Sequence, residues 1–271
     1  LFNVVDNNIN LILSTSFLMA IIGFVDDRYK LNTGGKLSLQ VIPIFYLIVI
    51  ENFSLNHIGD YNYFKLELNV FAIPFTLLCM LLLINAFNYF DGIDGLLTSS
   101  SISVLLILYF LSPSEEIRLF LMLIIVPLGI FLLFNFSIAN LPKLFLGDSG
   151  SLLLGFIIGF TLIYFANQSL THPILLAWSI SIFVYEFLSI NILRLKNNKG
   201  IFVAGQDHLH HVLFRKFKSV FFINFLLSIS NILFFIIGYF SFKFAGSLTS
   251  FFLFIITFII FFIIRSKYLT Y

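Results

Sequence analysis

The stretch LLLINAFNYFDGIDGLL, residues 81–97, sets Asn85, Asn88, Asp91 and Asp94 at three-residue steps inside an apolar run. Residues three apart are neighbours on a helix surface, so Asn85, Asn88 and Asp91 form one polar strip if the helix runs that far. Gly92 and Gly95 then loosen the turn around Asp94. Three further stretches concentrate polar groups. GFVDDRYKLNTGGKLSLQ carries the adjacent carboxylates Asp26 and Asp27 at a helix end, followed by Arg28 and Lys36. Such a pair is tolerable at a membrane surface when water, a cation or nearby Arg and Lys compensates it, and the plain alternative is a solvated turn. LFLGDSGSLLLGF sets Asp148 next to Gly147, with Ser149 and Ser151 opening a helix. Glycines let backbone approach a ligand, the helix start favours anions, and Asp148 is a hard oxygen ligand suited to Mg²⁺. The alternative there is an Asp-Ser cap of the next helix. GQDHLHHVLFRKFK brings Asp207, His208, His210 and His211 before Arg215, Lys216 and Lys218. Neutral imidazoles can take a proton or a metal, and charged ones can contact phosphate. The same residues would also suit a basic loop on anionic lipid headgroups.

The elements that must position these residues are membrane helices. Of 271 residues, 60 % are hydrophobic and only 10 % charged, and the mean hydropathy is +1.05. A soluble domain has no interior for that much apolar surface, so the composition predicts an all-α polytopic membrane protein and no nucleic-acid partner. The single cysteine, Cys79, excludes a disulfide framework and a thiolate metal site. The 38 phenylalanines fit a coding bias better than a stacking platform. Nine apolar segments are expected to cross the membrane, near 10–25, 37–50, 70–84, 96–111, 117–136, 151–167, 173–192, 220–242 and 247–264. They leave no room for a second domain, so residues 1–271 are read as one integral-membrane unit. Nine crossings place twelve of the fifteen Lys and Arg residues on one side. The positive-inside rule makes that side cytoplasmic.

All four polar stretches then share the cytoplasmic face. It gathers Asp26, Asp27, Asp91, Asp94, Asp148 and Asp207 with three histidines and several cations. Mixed carboxylates and cations on one face suit a divalent metal holding a diphosphate. A transporter would place its ionisable groups near the bilayer midplane. The spans are nearly free of charge except for Glu186, which has Arg194 two turns later as a candidate partner.

In this order the four stretches resemble the polyprenyl-phosphate N-acetylhexosamine-1-phosphate transferase family, from about Gly23 to Leu213. NAFNYFDGIDGL and FLGDSGS are the most specific parts. The resemblance implies a bundle of ten or eleven helices with its site on the cytoplasmic face of a bacterial plasma membrane. It implies transfer of N-acetylhexosamine 1-phosphate from a UDP-sugar to undecaprenyl phosphate, releasing UMP, with Mg²⁺ or Mn²⁺ in its place. It assigns Asp148 to the metal, with Asp91 beside it. Asp26 and Asp27 match the pair implicated in activating or orienting the lipid phosphate, and Lys36 a basic position near the site. Asn85, Asn88, Asp91 and Asp94 match the wall of the nucleotide and metal site. His208, His210 and His211 match the histidine motif at the diphosphate end of the donor. Members can dimerise, and this sequence carries no dimer signature.

Two departures stand out. Gly205 and Gln206 replace an expected Asp-Arg pair, which bears on sugar identity, and Glu186 replaces a common Asp. The form HLHH argues against the peptidoglycan branch, the phospho-MurNAc-pentapeptide transferases. One span precedes Asp26, so further N-terminal helices are expected. The reaction is expected to be a direct attack by the lipid phosphate, with Asp26 or Asp27 as base or positioner, and a covalent aspartyl-phosphate route competes. The rival class is a non-catalytic lipid-phosphate-binding membrane protein.

Overall fold

The computed structural model describes residues 6–198, 200, 205 and 207–268. Helix α1 (Asn7–Tyr29) starts where the Asp6 carboxylate accepts the Asn8 N–H at 3.0 Å, and it stops at Lys30 in left-handed conformation. Helix α2 (Thr33–Phe45) starts where Asn32 accepts the Gly35 N–H at 2.7 Å, and a wider π-turn extends it to Ile50. A short antiparallel hairpin, β1 (His57–Asp60) and β2 (Lys65–Glu67), leads into α3 (Ala72–Phe90). Then come α4 (Leu96–Leu111), α5 (Glu115–Asn135), α6 (Gly147–Asn167), α7 (Pro173–Ser179), α8 (Ser181–Lys196), α9 (Leu209–Phe217) and α10 (Val220–Tyr268).

This is a multi-pass membrane protein, and each of the nine apolar segments falls on a helix. Among the described residues six helices are long and apolar enough to cross a membrane, and seven when α7 and α8 count as one bent span. The lower number has two causes. Helix α4 has only 16 residues, about 24 Å at the α-helical rise. Helix α10 is counted once but breaks at Gly246, whose φ of 87° ends helical geometry. Its two limbs run antiparallel. Asn224 on the first limb donates to the Asp94 carbonyl, and Arg265 on the second reaches Glu186, at the same end of the bundle. Ser247, at the break, donates to the Asp60 carbonyl at the hairpin end.

The bend of 73° between α7 and α8 leaves backbone groups without helical partners. Unpaired backbone is costly inside a bilayer. Asn231 on α10, fully buried, supplies the partners. Its amide donates to the Ser179 carbonyl at 2.8 Å, and its oxygen accepts the Ile182 N–H at 3.3 Å.

Helices α1 and α6 pack antiparallel over their whole length. Tyr164 donates to Asp6 at 2.7 Å at the hairpin end, and Ser149 donates to the Ala20 carbonyl at 2.9 Å near the other. The approach is close at Gly23, where a Cβ would lie 2.5 Å from the Asp148 carbonyl oxygen. A larger residue there would push α6, and Asp148 with it, out of place.

Candidate active site

The polar residues on α1, α2, α3 and α6 meet at the cation-rich end of the bundle. Asp26, Asp27, Lys36, Asn85, Asn88 and Asp148 line one cavity of about 410 Å³, with Lys30, Leu31, Thr33 and Tyr89 completing the wall. Lys36 is its centre. The ammonium sits 2.7 Å from Asp26 Oδ2 and 3.0 Å from Asp148 Oδ2, and it donates to Asn88 Oδ1 at 3.4 Å. Asn88 in turn donates to Asp148 Oδ1 and, at 2.8 Å, to Ser151 Oγ. One turn deeper, Asn85 donates to Gln40 on α2 at 3.0 Å. Lys36 and Gln40 are one helical turn apart, as Asn85 and Asn88 are, so α2 and α3 meet along a polar ladder.

The two adjacent carboxylates do different things. Consecutive residues on a helix point about 100° apart. Asp26 turns inward, buried, to Lys36, and it also accepts the Leu31 N–H at 2.9 Å. Asp27 turns toward α6 and accepts the backbone N–H groups of Asp148 at 2.9 Å and Ser149 at 3.1 Å. The anion favoured at the start of α6 is therefore a side chain of this chain. Gly147, at φ 64°, lets the chain enter α6 beside that carboxylate, and a Cβ there would lie 2.7 Å from Asp27 Oδ2.

The polar strip on α3 divides as well. The helix ends at Phe90, and Asp91 follows as its cap. The Asp91 carboxyl is pushed up to about 7, mainly by burial and then by the charges of Asp148, Asp27 and Asp94. No described residue donates a hydrogen bond to it. Asp94 lies at the rim, 2.7 Å from Lys143.

The histidines stand behind this cavity. The His208 ring meets Tyr89 edge-on at 4.7 Å, and the Arg194 guanidinium lies 5.7 Å from the centre of the same tyrosine ring. His210 packs against Gly92, where any side chain would strike the imidazole. Burial lowers His208 to about 4, with Arg194 adding to the effect. It lowers His210 to about 2, with His211 adding. Both rings are therefore neutral at physiological pH, and His208 Nδ1 and His210 Nε2 are buried without a partner among the described residues. His211 is half-buried and also lowered, first by burial. The motif is thus not a charged loop on a lipid surface. The exposed part of α9 is its C-terminal end, with Arg215 and Lys216, followed by Lys218 at the cap.

Glu186 does not pair with Arg194. It is buried against Arg265 of α10, with Nε 3.1 Å from Oε2, and it accepts the Leu209 N–H at 2.7 Å. Arg194 grips Asp207 with two bonds, of 3.0 and 2.7 Å. Gly205 leaves room for that pair, since a Cβ there would lie 2.5 Å from Asp207 Oδ1. Gln206 lies outside the described residues. Sequence reasoning missed Tyr89, Gln40 and Arg265 as parts of the site. Gln40 alone had a local signal, one turn after Lys36 and facing the same way.

Residues 9–166 match glycosyl transferase family 4, more than half of the chain and all four helices around Lys36. The chain belongs to this family. It is 29 % identical over 226 residues to an undecaprenyl-phosphate alpha-N-acetylglucosaminyl 1-phosphate transferase of Escherichia coli O157:H7, covering 79 % of this chain and 61 % of that protein. The transferase of the same name from Yersinia pestis is 28 % identical over 213 residues, 76 % of this chain and 58 % of its own. A probable undecaprenyl-phosphate N-acetylglucosaminyl 1-phosphate transferase of Bacillus subtilis strain 168 is 30 % identical over 238 residues, 80 % and 63 % respectively. The chain thus spans about three fifths of the length of these curated relatives.

The family resemblance implies a divalent cation, and the donor set suits one of a particular kind. Among the described residues no three carboxylates, imidazoles or thiols form a ready-made cage. Mg²⁺ rarely needs one, because it binds through one or two carboxylates plus substrate phosphates and keeps its waters. Asp91, undonated and crowded by three carboxylates, is the group a cation would relieve. Asp148 keeps lone pairs beyond those engaged by Lys36 and Asn88.

Proposed function

We propose that this protein transfers N-acetylhexosamine 1-phosphate from a UDP-sugar to undecaprenyl phosphate and releases UMP, at the cytoplasmic face of a bacterial plasma membrane. The product would initiate a cell-envelope polysaccharide. The observation that carries the reading is the Lys36 ammonium held between Asp26 and Asp148 in one cavity, with the undonated carboxylate of Asp91 close enough to feel the charges of Asp148 and Asp27. Cations among carboxylates in one half-buried cavity suit the meeting of two phosphates. The relatives' names supply the acceptor and the transferred group. The excess of Lys and Arg at this end supports the cytoplasmic side.

In the reaction, an oxygen of the lipid phosphate attacks the β-phosphorus of the donor in line. The bond from that phosphorus to the bridging oxygen breaks, and UMP leaves with the bridging oxygen. The sugar's own carbon–oxygen bond stays intact. Lys36, fixed by Asp26, Asp148 and Asn88, lowers the repulsion between the two phosphates without reorganising. Bound by Asp148 and Asp91, Mg²⁺ would supply further charge neutralisation and orientation of the phosphates. The second pKa of a phosphate monoester is about 6, so the acceptor is already ionised at neutral pH and no strong base is needed. Asp26 then acts by positioning Lys36, and Asp27 by fixing the start of α6.

Incubation with donor labelled in the sugar phosphate, without acceptor, tests the direct route. The protein should stay unlabelled, and a stable sugar-phosphate adduct would instead require a covalent aspartyl intermediate. Comparing UDP-GlcNAc, UDP-GalNAc and a UDP-6-deoxy-HexNAc as donors would identify the sugar.

A further inference from the structure

We propose that Arg265, near the end of α10, is a positioning residue that holds the His208–His210 turn against α3, so that the last helix completes the active site. The inference rests on the transfer reaction proposed above. It starts from an anomaly of burial. An arginine near the end of a membrane helix ordinarily extends its side chain to the headgroup region. Arg265 turns inward and is 2 % exposed, while the preceding Ile263 and Ile264 face outward.

What it meets there is the turn carrying the histidines. Its guanidinium pairs with Glu186, equally buried, and donates to the Asp207 carbonyl. Glu186 accepts the Leu209 N–H. Asp207 and Leu209 flank His208, so the backbone on both sides of that histidine is anchored by one ion pair. The Asp207 side chain is anchored separately, by Arg194. With the backbone fixed, the His208 imidazole is held against Tyr89, which lines the Lys36 cavity, and His210 against Gly92, next to Asp91. A buried ion pair is by itself weak ground for stability. Its arrangement here gives it a second effect, since both partners spend a hydrogen bond on the backbone around one histidine.

Three variants of the full chain in nanodiscs test the assignment: Arg265→Gln, Arg265→Lys, and the double variant Glu186→Gln with Arg265→Gln. Three quantities are read: hydrogen exchange of the 207–214 peptide, the melting midpoint and the kinetics of UMP release. In Arg265→Gln the first-turn amides of α9 should exchange at least about tenfold faster while α3 and α6 are unchanged. Misplacement of a reacting group by about 1 Å can cost about 100-fold in rate, so kcat should fall about 30- to 100-fold with KM for the donor changed less than about threefold. Arg265→Lys keeps the charge but not the fork, and should regain the melting midpoint with less than about a tenth of kcat. The double variant removes the unpaired buried carboxylate. It should regain the parent's melting midpoint but not its kcat, because the Asp207 carbonyl still lacks the guanidinium. Unchanged exchange in α9, or a kcat that recovers in step with stability in the double variant, would overturn the assignment. A parent protein inactive with every donor would defeat the transfer reading instead, and the exchange result alone would then decide this one.

Discussion

Asp26 and Asp27 are neighbours in sequence with different partners, and replacing each by Asn should separate them. Asp27 makes two bonds, to the N–H groups of Asp148 and Ser149, at the exposed start of α6. Asn in its place keeps one acceptor oxygen and turns an amide toward the other N–H. The lost bond costs about 1 kcal/mol, and loss of the negative charge at a helix start about 0.3–1 kcal/mol. If all of that were felt in the placement of Asp148, kcat/KM would fall about 10- to 30-fold, at 1.4 kcal/mol per tenfold. Asp26 is buried against Lys36, at 2.7 Å. Removing one partner of a buried pair costs about 3–5 kcal/mol, which corresponds to about 100- to 1000-fold or more. The assay is UMP release by the two variants at saturating Mg²⁺, with melting midpoints measured in parallel. An Asp27→Asn protein as damaged as Asp26→Asn would refute the reasoning, because it would give Asp27 a direct part in the chemistry.

Asn88→Ala leaves Asp148 Oδ1 and Ser151 without their donor. It should lower kcat about 5- to 150-fold, for a cost of about 1–3 kcal/mol, and a change under about threefold would count against the orienting role. Gly23→Ala forces α1 and α6 apart at the Asp148 carbonyl. Overpacking of this kind costs about 1–3 kcal/mol, so a melting midpoint equal to the parent's would show that the helices part freely. His208 and His210 are held below the unfolded value of about 6.5, at about 4 and about 2. An opened α9 therefore takes up protons first, and the protection these neutral rings give is complete above about pH 6.5 and lost as pH falls toward 4. Exchange protection of α9, corrected for intrinsic rate, should drop between pH 7 and 5 by up to about tenfold per pH unit per histidine. His208→Gln should roughly halve the slope, leaving the His210 contribution, and a flat profile in the parent would contradict the burial of these rings.

The sequence made the membrane class and the polar end of the bundle legible because both are one-dimensional signals. Apolar runs mark spans, and the Lys and Arg bias marks a side. Even the break between the last two spans was visible as the polar interval around Gly246. The inequality of the Asp pair was also within reach, since adjacent residues on a helix cannot share a face. The helix-start anion at Gly147 was anticipated, but not that Asp27, more than a hundred residues earlier, supplies it. Arg265 could not be found this way. It lies 79 residues after Glu186, and the local rule of counting helical turns pointed to Arg194, which three-dimensional packing had already committed to Asp207. Whether a histidine is charged also depends on burial, and no spacing rule reports that.

The central claim is tested most directly by UMP release from UDP-GlcNAc and related UDP-HexNAc donors, comparing the full-length protein with its Asp148→Asn variant. Release should require undecaprenyl phosphate and a divalent cation together, and should fall about 100- to 1000-fold in the variant, as for loss of a group that holds the stabilising cations in place. No UMP from any of these donors, or undiminished release by Asp148→Asn, would contradict the account.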